Sequence, residues 1–202
     1  MALGYVRPAG PGDAGEIARI QLSTWRTAYR RLLPVHVLNE MDEAWFTQRW
    51  LDAITAPPSP HHHVLLAVEQ PEPQSAAAGP TSAYPVGFAA IGPVDDAALA
   101  PDEDRAQLGT AVAAVTDLLV EPRWGRRGHG SRLLAACAER WRSDGFTSAV
   151  AWAFAEDAAT RTFLEGAGWA ADGTSRALDV DDLLVSQVRL HTGLDIEQGP
   201  LA

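Results

Sequence analysis

The stretch "LLVEPRWGRRGHGSRLL", residues 118–134, decides the reading of this chain. Apolar residues run up to Pro122. Gly125, Gly128 and Gly130 then alternate with arginines, and an apolar run opens a helix behind them. Strand, glycine-rich turn and helix form an arrangement suited to an anion. The first turn of a helix has N–H groups without partners and a partial positive charge. A phosphate satisfies both. Glycine removes the Cβ atoms that would hold phosphate oxygens off the backbone. Arg126, Arg127 and Arg132 can add charge-assisted hydrogen bonds. No Gly-Lys-Ser/Thr follows, so this is not a P-loop, and the glycines are not in the order of the dinucleotide fingerprint. Alone, the segment fits a surface turn with solvated arginines equally well.

The surrounding chain is acidic. Its 202 residues carry a formal net charge of -10, which argues against broad nucleic-acid binding and favours small cationic partners. A hydrophobic fraction of 47% with seven Trp supports a bulky core in one domain. The single cysteine, Cys137, excludes an internal disulfide and a multi-cysteine zinc site, so no metal is expected. No signal peptide opens the chain and no apolar run reaches membrane-spanning length, so a cytoplasmic protein without membrane contact is expected.

Working outward, "YVRPAGPGDAGEIARIQLSTWRTAYRRLLP" reads as a short strand and a helix. Asp13 and Glu16 form its capping box, and Ile17, Ile20, Trp25, Ala28 and Leu32 its apolar stripe. A second helix follows Asp42, with Phe46, Trp50 and Ile54 on one face. "VLLAVEQ", "VGFAAIG", "AVAAVTDLLVEP", "TSAVAWAF" and "LLVSQVRLHTG" read as strands, the third long enough to lie centrally. Residues 71–85 and the acidic stretch 93–109 read as loops. Residues 130–142 form a helix that buries Leu134, Cys137, Ala138 and Trp141, and "DAATRTFLEGAG" forms another, ended by glycine.

The ordered set resembles the GNAT acetyltransferase superfamily. Val120 and Pro122 match its strand end, and Gly128, Gly130, Leu133 and Leu134 its loop and helix. Phe163, Gly168 and Trp169 match its later helix. The resemblance runs from about Val6 to Leu190. It implies one α/β (α+β) domain over residues 1–202, core about 5–191, with a mixed, mostly antiparallel sheet and helices on both faces. It also implies transfer of an acetyl group from acetyl-CoA to a primary amine by direct attack. The loop Gly125, Arg126, Arg127, Gly128, His129, Gly130 and Ser131 would hold the CoA pyrophosphate. The strand end Leu118, Leu119 and Val120 would bond the pantetheine arm. The Val120 N–H would polarise the thioester carbonyl and stabilise the oxyanion.

This chain departs from that pattern in four places. Gly125 stands where the superfamily leads its loop with Arg or Gln. Asp157 replaces an Asn at the start of the later helix, where it can still cap. Leu164 replaces a Tyr that protonates the departing thiolate, and Ala114 replaces a Glu that acts as base. Asp117, on the same strand, is the candidate base through water; a salt-bridged structural Asp is the competing reading. His61, His62 and His63 read as a solvated loop, His129 as an outward-pointing loop side chain, and Cys137 as a packed thiol. Tyr29 and Tyr84 can reach a substrate cleft. The expected acceptor is a small, cationic amine, on the net charge and the run Asp95, Asp96, Asp102, Glu103, Asp104. A non-catalytic acyl-CoA-binding module or sensor and an unrelated nucleotide-phosphate binder stay open, as does a homodimer.

Overall fold

The structure, a computed structural model, describes residues 3–70 and 83–194. The strands are β1 Leu3–Pro8, β2 His63–Gln70, β3 Tyr84–Pro93, β4 Val112–Val120, β5 Ser148–Phe154, β6 Ala170–Val180 and β7 Leu183–Gly193. The helices are α1 Ala14–Ala28, α2 Val35–Glu40, α3 Glu43–Thr55, α4 Arg105–Leu108, α5 His129–Ser143 and α6 Ala158–Gly166. The strands hydrogen-bond in the order β1-β2-β3-β4-β5-β7-β6. β1–β2, β5–β7 and β6–β7 are antiparallel and β4–β5 is parallel, so the sheet is mixed as expected. The segment 71–82, read as loop from its composition, lies outside the described residues.

Two compact units divide the chain, residues 1–90 with 117–136 and residues 91–116 with 137–202. The first has its core where α1 and α3 meet β2, β3 and the end of β4. Ile17, Ile20 and Leu22 pack with Phe46, Trp50, Leu66, Val68, Phe88 and Leu119. The Trp50 and Phe88 rings meet edge to face at 4.9 Å. Truncating such a buried aromatic costs about 3–5 kcal/mol, so the stripe Phe46, Trp50 and Ile54 anchors α3 as its spacing implies. The Asp42 carboxylate caps α3 by accepting from the Ala44 N–H at 2.8 Å.

The other helix start differs from its sequence reading. Asp13 does not cap α1 with its side chain. Its carboxylate turns back to Arg7 at 2.7 and 2.8 Å and accepts from the Gly10 N–H at 2.7 Å, across a 3-10 turn at Pro11–Asp13. A bidentate guanidinium at the end of β1 is the stronger partner. Glu16 pairs with Arg19 instead. α1 ends at Ala28, where Tyr29 leaves the helical region at φ −102° and ψ 8°, and the Leu32 and Leu33 N–H groups both donate to its carbonyl. Leu33 is therefore the buried residue after the helix, and Pro34 begins the short α2.

In the second unit β5 pairs with β7 along its length, and Trp141, Phe146, Val150 and Leu190 are buried. β6, absent from the sequence reading, pairs with β7 across an irregularity between Ala171 and Ser175. Its side chains alternate between exposed and half-buried. Arg189, 5% exposed, joins Asp172 at 2.6 Å and Glu103 on its other side. Both carboxylates are held below their usual range. For Glu103 the largest cause is the hydrogen bond from Arg189; for Asp172, burial opposes and hydrogen bonds from Thr174 and Arg189 prevail.

Candidate active site

The site in the first unit starts where β4 leaves its parallel partner. The β4–β5 register runs over Val112–Val115 against Ser148–Ala151, and β4 continues to Val120. The Glu121 N–H donates to the Val86 carbonyl at 2.9 Å. Strand alternation therefore directs the Val120 and Leu118 N–H groups to the opposite edge of β4, away from β3. Glu121 is 6% exposed and lies between Arg19 at 2.7 Å and Arg123 at 2.9 Å. Burial pushes its pKa up, but the two guanidinium hydrogen bonds prevail and hold it below the usual range. The bridge to Arg19 pins the strand end to α1, and the bridge to Arg123 ties it to the turn that follows.

A 3-10 turn at Pro122–Trp124 comes next, with the Gly125 N–H donating to the Pro122 carbonyl at 3.1 Å. That amide closes the turn and is committed there. Arg126 then adopts φ +63°, a left-handed backbone costly for a long side chain, and Gly128 adopts φ +80°. Backbone strain of this kind clusters at ligand clamps. α5 begins at His129, and its first internal hydrogen bond runs from the Arg132 N–H to the Gly128 carbonyl at 3.0 Å. The His129, Gly130 and Ser131 N–H groups precede that bond and lack helical partners. Arg126, Arg127 and Gly128 are exposed, and Arg127 lies over the Trp124 ring at 4.7 Å. Such an arrangement can accept an anion, with two cations beside it.

His129 corrects one expectation. It points inward, 1% exposed, with Nε2 at 3.0 Å from Glu69 Oε2 and Nδ1 at 3.2 Å from Arg132 Nη2. The exposed main chain of the loop turns its one imidazole toward β2, where a buried carboxylate receives it.

Asp117 stands on β4 two residues before Leu119, on the face toward α1 and α3. Gln21 Nε2 donates to its Oδ1 at 3.3 Å, and the Gln21 Oε1 accepts from Trp50 Nε1 at 2.8 Å. Burial raises the Asp117 pKa to about 7, with the Arg49 charge pulling the other way. A carboxylate so placed changes protonation near neutrality, where a general base works best. Gln21 went unrecognised in the sequence, although a polar residue at 1% exposure on the stripe of Ile17 and Ile20 is its signal. Glu69 and Glu121 were missed in the same way.

Of the remaining sequence candidates, Tyr84 borders the turn before the loop. Tyr84, 40% exposed, faces Trp124 at 6.1 Å. His62 Nδ1 is engaged by Ser59 at 2.8 Å. Among the described residues no group of three His, Cys, Asp or Glu is placed to hold a metal. In the second unit Asp157 caps α6, accepting from the Thr160 N–H at 3.1 Å and its hydroxyl at 2.7 Å. Leu164 and Ala114 are 4% and 2% exposed, packed apolar residues at both positions. Cys137 is fully buried, and burial pushes its thiol up to about 12.

Three comparisons bear on this geometry. The chain is 29% identical over 147 residues to an uncharacterized N-acetyltransferase, YuaI, of Bacillus subtilis, covering 73% of this chain and 69% of that protein. The PaiA N-acetyltransferase of Thermoplasma acidophilum, solved with coenzyme A, superposes with a TM-score of 0.66 at 12% identity over 95% of this chain and 99% of that one. YncA of Salmonella typhimurium, solved with its cofactor acetyl-CoA, superposes with a TM-score of 0.58 at 16% identity over 99% of both. At these identities the solved structures show the fold. Residues 24–169 match the model of the Acetyltransferase (GNAT) family, and the chain belongs to that family.

Proposed function

We propose that this protein transfers an acetyl group from acetyl-CoA to the primary amine of a small acceptor, without a covalent enzyme intermediate. The observation that carries the reading is the joining of a strand end beyond its parallel ladder to an exposed, left-handed glycine loop at a helix start. Acetyl-CoA supplies an acetyl group already activated as a thioester. The His129, Gly130 and Ser131 amides, flanked by Arg126 and Arg127, suit its pyrophosphate; Gly128 gives the loop its left-handed turn. Leu118 and Val120 offer strand-edge groups to the pantetheine arm, while the Leu119 main chain is turned to β3, and the Val120 N–H is directed where it can donate to a thioester carbonyl. Asp117, ionised above about pH 7, takes the proton of the attacking ammonium through water. The acceptor nitrogen forms the C–N bond as the C–S bond breaks, and the CoA thiolate leaves to solvent.

The second reading, an acyl-CoA-binding module, is favoured by the buried Leu164 and Ala114, which provide neither acid nor base. An acetylation assay over a panel of small amines, with mass detection of product, separates the two. Acetylated product that disappears in Gly130→Val supports the enzyme. Tight CoA binding with no product from any amine supports the module. Adenine nucleotides that displace CoA completely at equal concentration would point to a general nucleotide-phosphate binder.

A further inference from the structure

Behind the glycine loop, β1, β2 and α5 converge on the His129 imidazole. Arg132 Nη2 faces Nδ1 at 3.2 Å, and the Glu69 carboxylate faces Nε2 at 3.0 Å. A guanidinium can only donate. Nδ1 must therefore present its lone pair, and the ring proton sits on Nε2, beside the Glu69 carboxylate but not aligned on it as a hydrogen bond. The same Arg132 Nη2 also donates to the Arg127 carbonyl, at 3.1 Å, inside the loop. β1 makes room for this arrangement. Gly4 stands opposite Glu69 in register, and a Cβ there would meet Arg132 Nη2 at 2.6 Å and His129 Cε1 at 3.1 Å. A continuous line of polar contacts thus runs from a buried carboxylate on β2, through a neutral imidazole, to the main chain of the loop.

We propose that Glu69, His129 and Arg132 form a positioning relay that holds the 125–131 main chain in its anion-binding shape, with the His129 ring as a neutral bridge that does not itself touch the ligand. This rests on the reading that the loop takes the CoA pyrophosphate. The charged groups facing the ring are Glu69 from β2, Arg132 from α5 and Arg127 from the loop; Trp124 meets it edge-on at 6.4 Å without charge. Burial, and then the Arg132 charge, lower the His129 pKa against the pull of Glu69, which keeps the bridge neutral at physiological pH. A second ring proton would place an N–H on Nδ1 against a donor of like charge. Arg132 would turn away, the Arg127 carbonyl would lose its partner, and the loop would loosen.

The test is calorimetric titration of CoA into the native protein, His129→Gln and His129→Leu from pH 5 to pH 8.5. Glutamine can accept from Arg132 and donate to Glu69 but does not titrate. At pH 8 the glutamine variant is expected to bind within about threefold of native. The leucine variant, which leaves the buried Glu69 carboxylate without its ring and takes from Arg132 one of its two acceptors, is expected to bind about tenfold or more weakly. On acidification the native affinity falls relative to glutamine; the titration of the CoA phosphate, with a pKa of about 6, is common to both and cancels in their ratio. A ratio that stays flat with pH, or a leucine variant that binds like native, overturns the relay. If the variants do not fold, the His129 Cε1 proton resonance of the native protein decides. By reciprocity CoA must lower its pKa, whereas an unchanged or raised pKa overturns the proposal. Gly130→Val in the same calorimeter separates the two failures. Normal CoA binding there sinks the loop as the site, while lost binding with a flat native-to-glutamine ratio sinks the relay alone.

Discussion

The arginines of 123–132 and the carboxylates of 95–104 look alike in the sequence: each is a run of one charge in a loop-like stretch. The structure uses them differently. Arg126 and Arg127 stay exposed on a backbone held in the left-handed region, beside helix N–H groups that lack partners. The acidic run is largely committed within its own unit. Asp95 accepts from the Ala98 N–H, Asp104 from the Ala106 N–H, and Glu103 from the Ala100 N–H and Arg189. Charge density alone therefore does not mark a ligand surface. What sets the 125–131 loop apart is exposed charge next to helix N–H groups without helical partners. The expectation of a cationic acceptor accordingly loses its local support and rests on net charge.

The comparison can be broken most sharply at the loop. Gly128→Val would force a β-branched residue to φ +80° and should abolish measurable CoA binding by calorimetry. Native-like binding would mean that the backbone there is not the cradle. Next comes Arg189→Leu, which leaves two carboxylates without their cation and should lower unfolding stability by about 3–5 kcal/mol at pH 7 in denaturant titrations. CoA affinity per folded molecule should hold. Glu103 and Asp172 have depressed pKa values, so their contribution is present above about pH 4 and is lost as pH falls through the folded values. The gap between native and variant should therefore close in acid; a gap constant with pH would show that the cluster is not ionic.

Asp117→Asn gives a smaller shift of the opposite sign. The folded pKa of about 7 lies above the unfolded value near ~4, so the unfolded state loses its proton first as pH rises. Native stability is penalised progressively between those values. The asparagine variant should be more stable by about 2–4 kcal/mol at pH 8 and equal at pH 3, as read from melting curves. A variant less stable at pH 8 would show that the carboxylate is paired and structural. Smallest of all, Arg126→Ala should weaken CoA binding by no more than about tenfold, as loss of an exposed charge-assisted bond does. A much larger loss would shift the weight of binding from backbone to side chain.

Much of this was legible in the sequence, for identifiable reasons. β4, α3 and α5 declared themselves through long apolar runs and regular spacing, and the loop through glycines placed after a strand. β6 did not, because an edge strand such as "AADGTSRALDV" buries no continuous face and shows no apolar alternation. The Asp13 cap failed because Arg7, six residues earlier at the end of β1, took the carboxylate in place of the helix amide, and a capping pattern does not register that partner. His129, Glu69 and Gln21 were misread or missed because burial of a polar residue depends on which neighbour completes it. Only the folded register places Glu69 under His129, or Gln21 beside Asp117.

The central claim is that this chain acetylates an amine with Asp117 as its base. The most direct measurement is kcat/KM against pH for the native protein and Asp117→Asn on one accepted amine at saturating acetyl-CoA. The account expects a native rise through about pH 7, superposed on the slower climb set by the ammonium of the acceptor, and a slower variant that keeps only the second. Profiles of equal height and shape in the two proteins, or a bell with a descending limb in both, would contradict it.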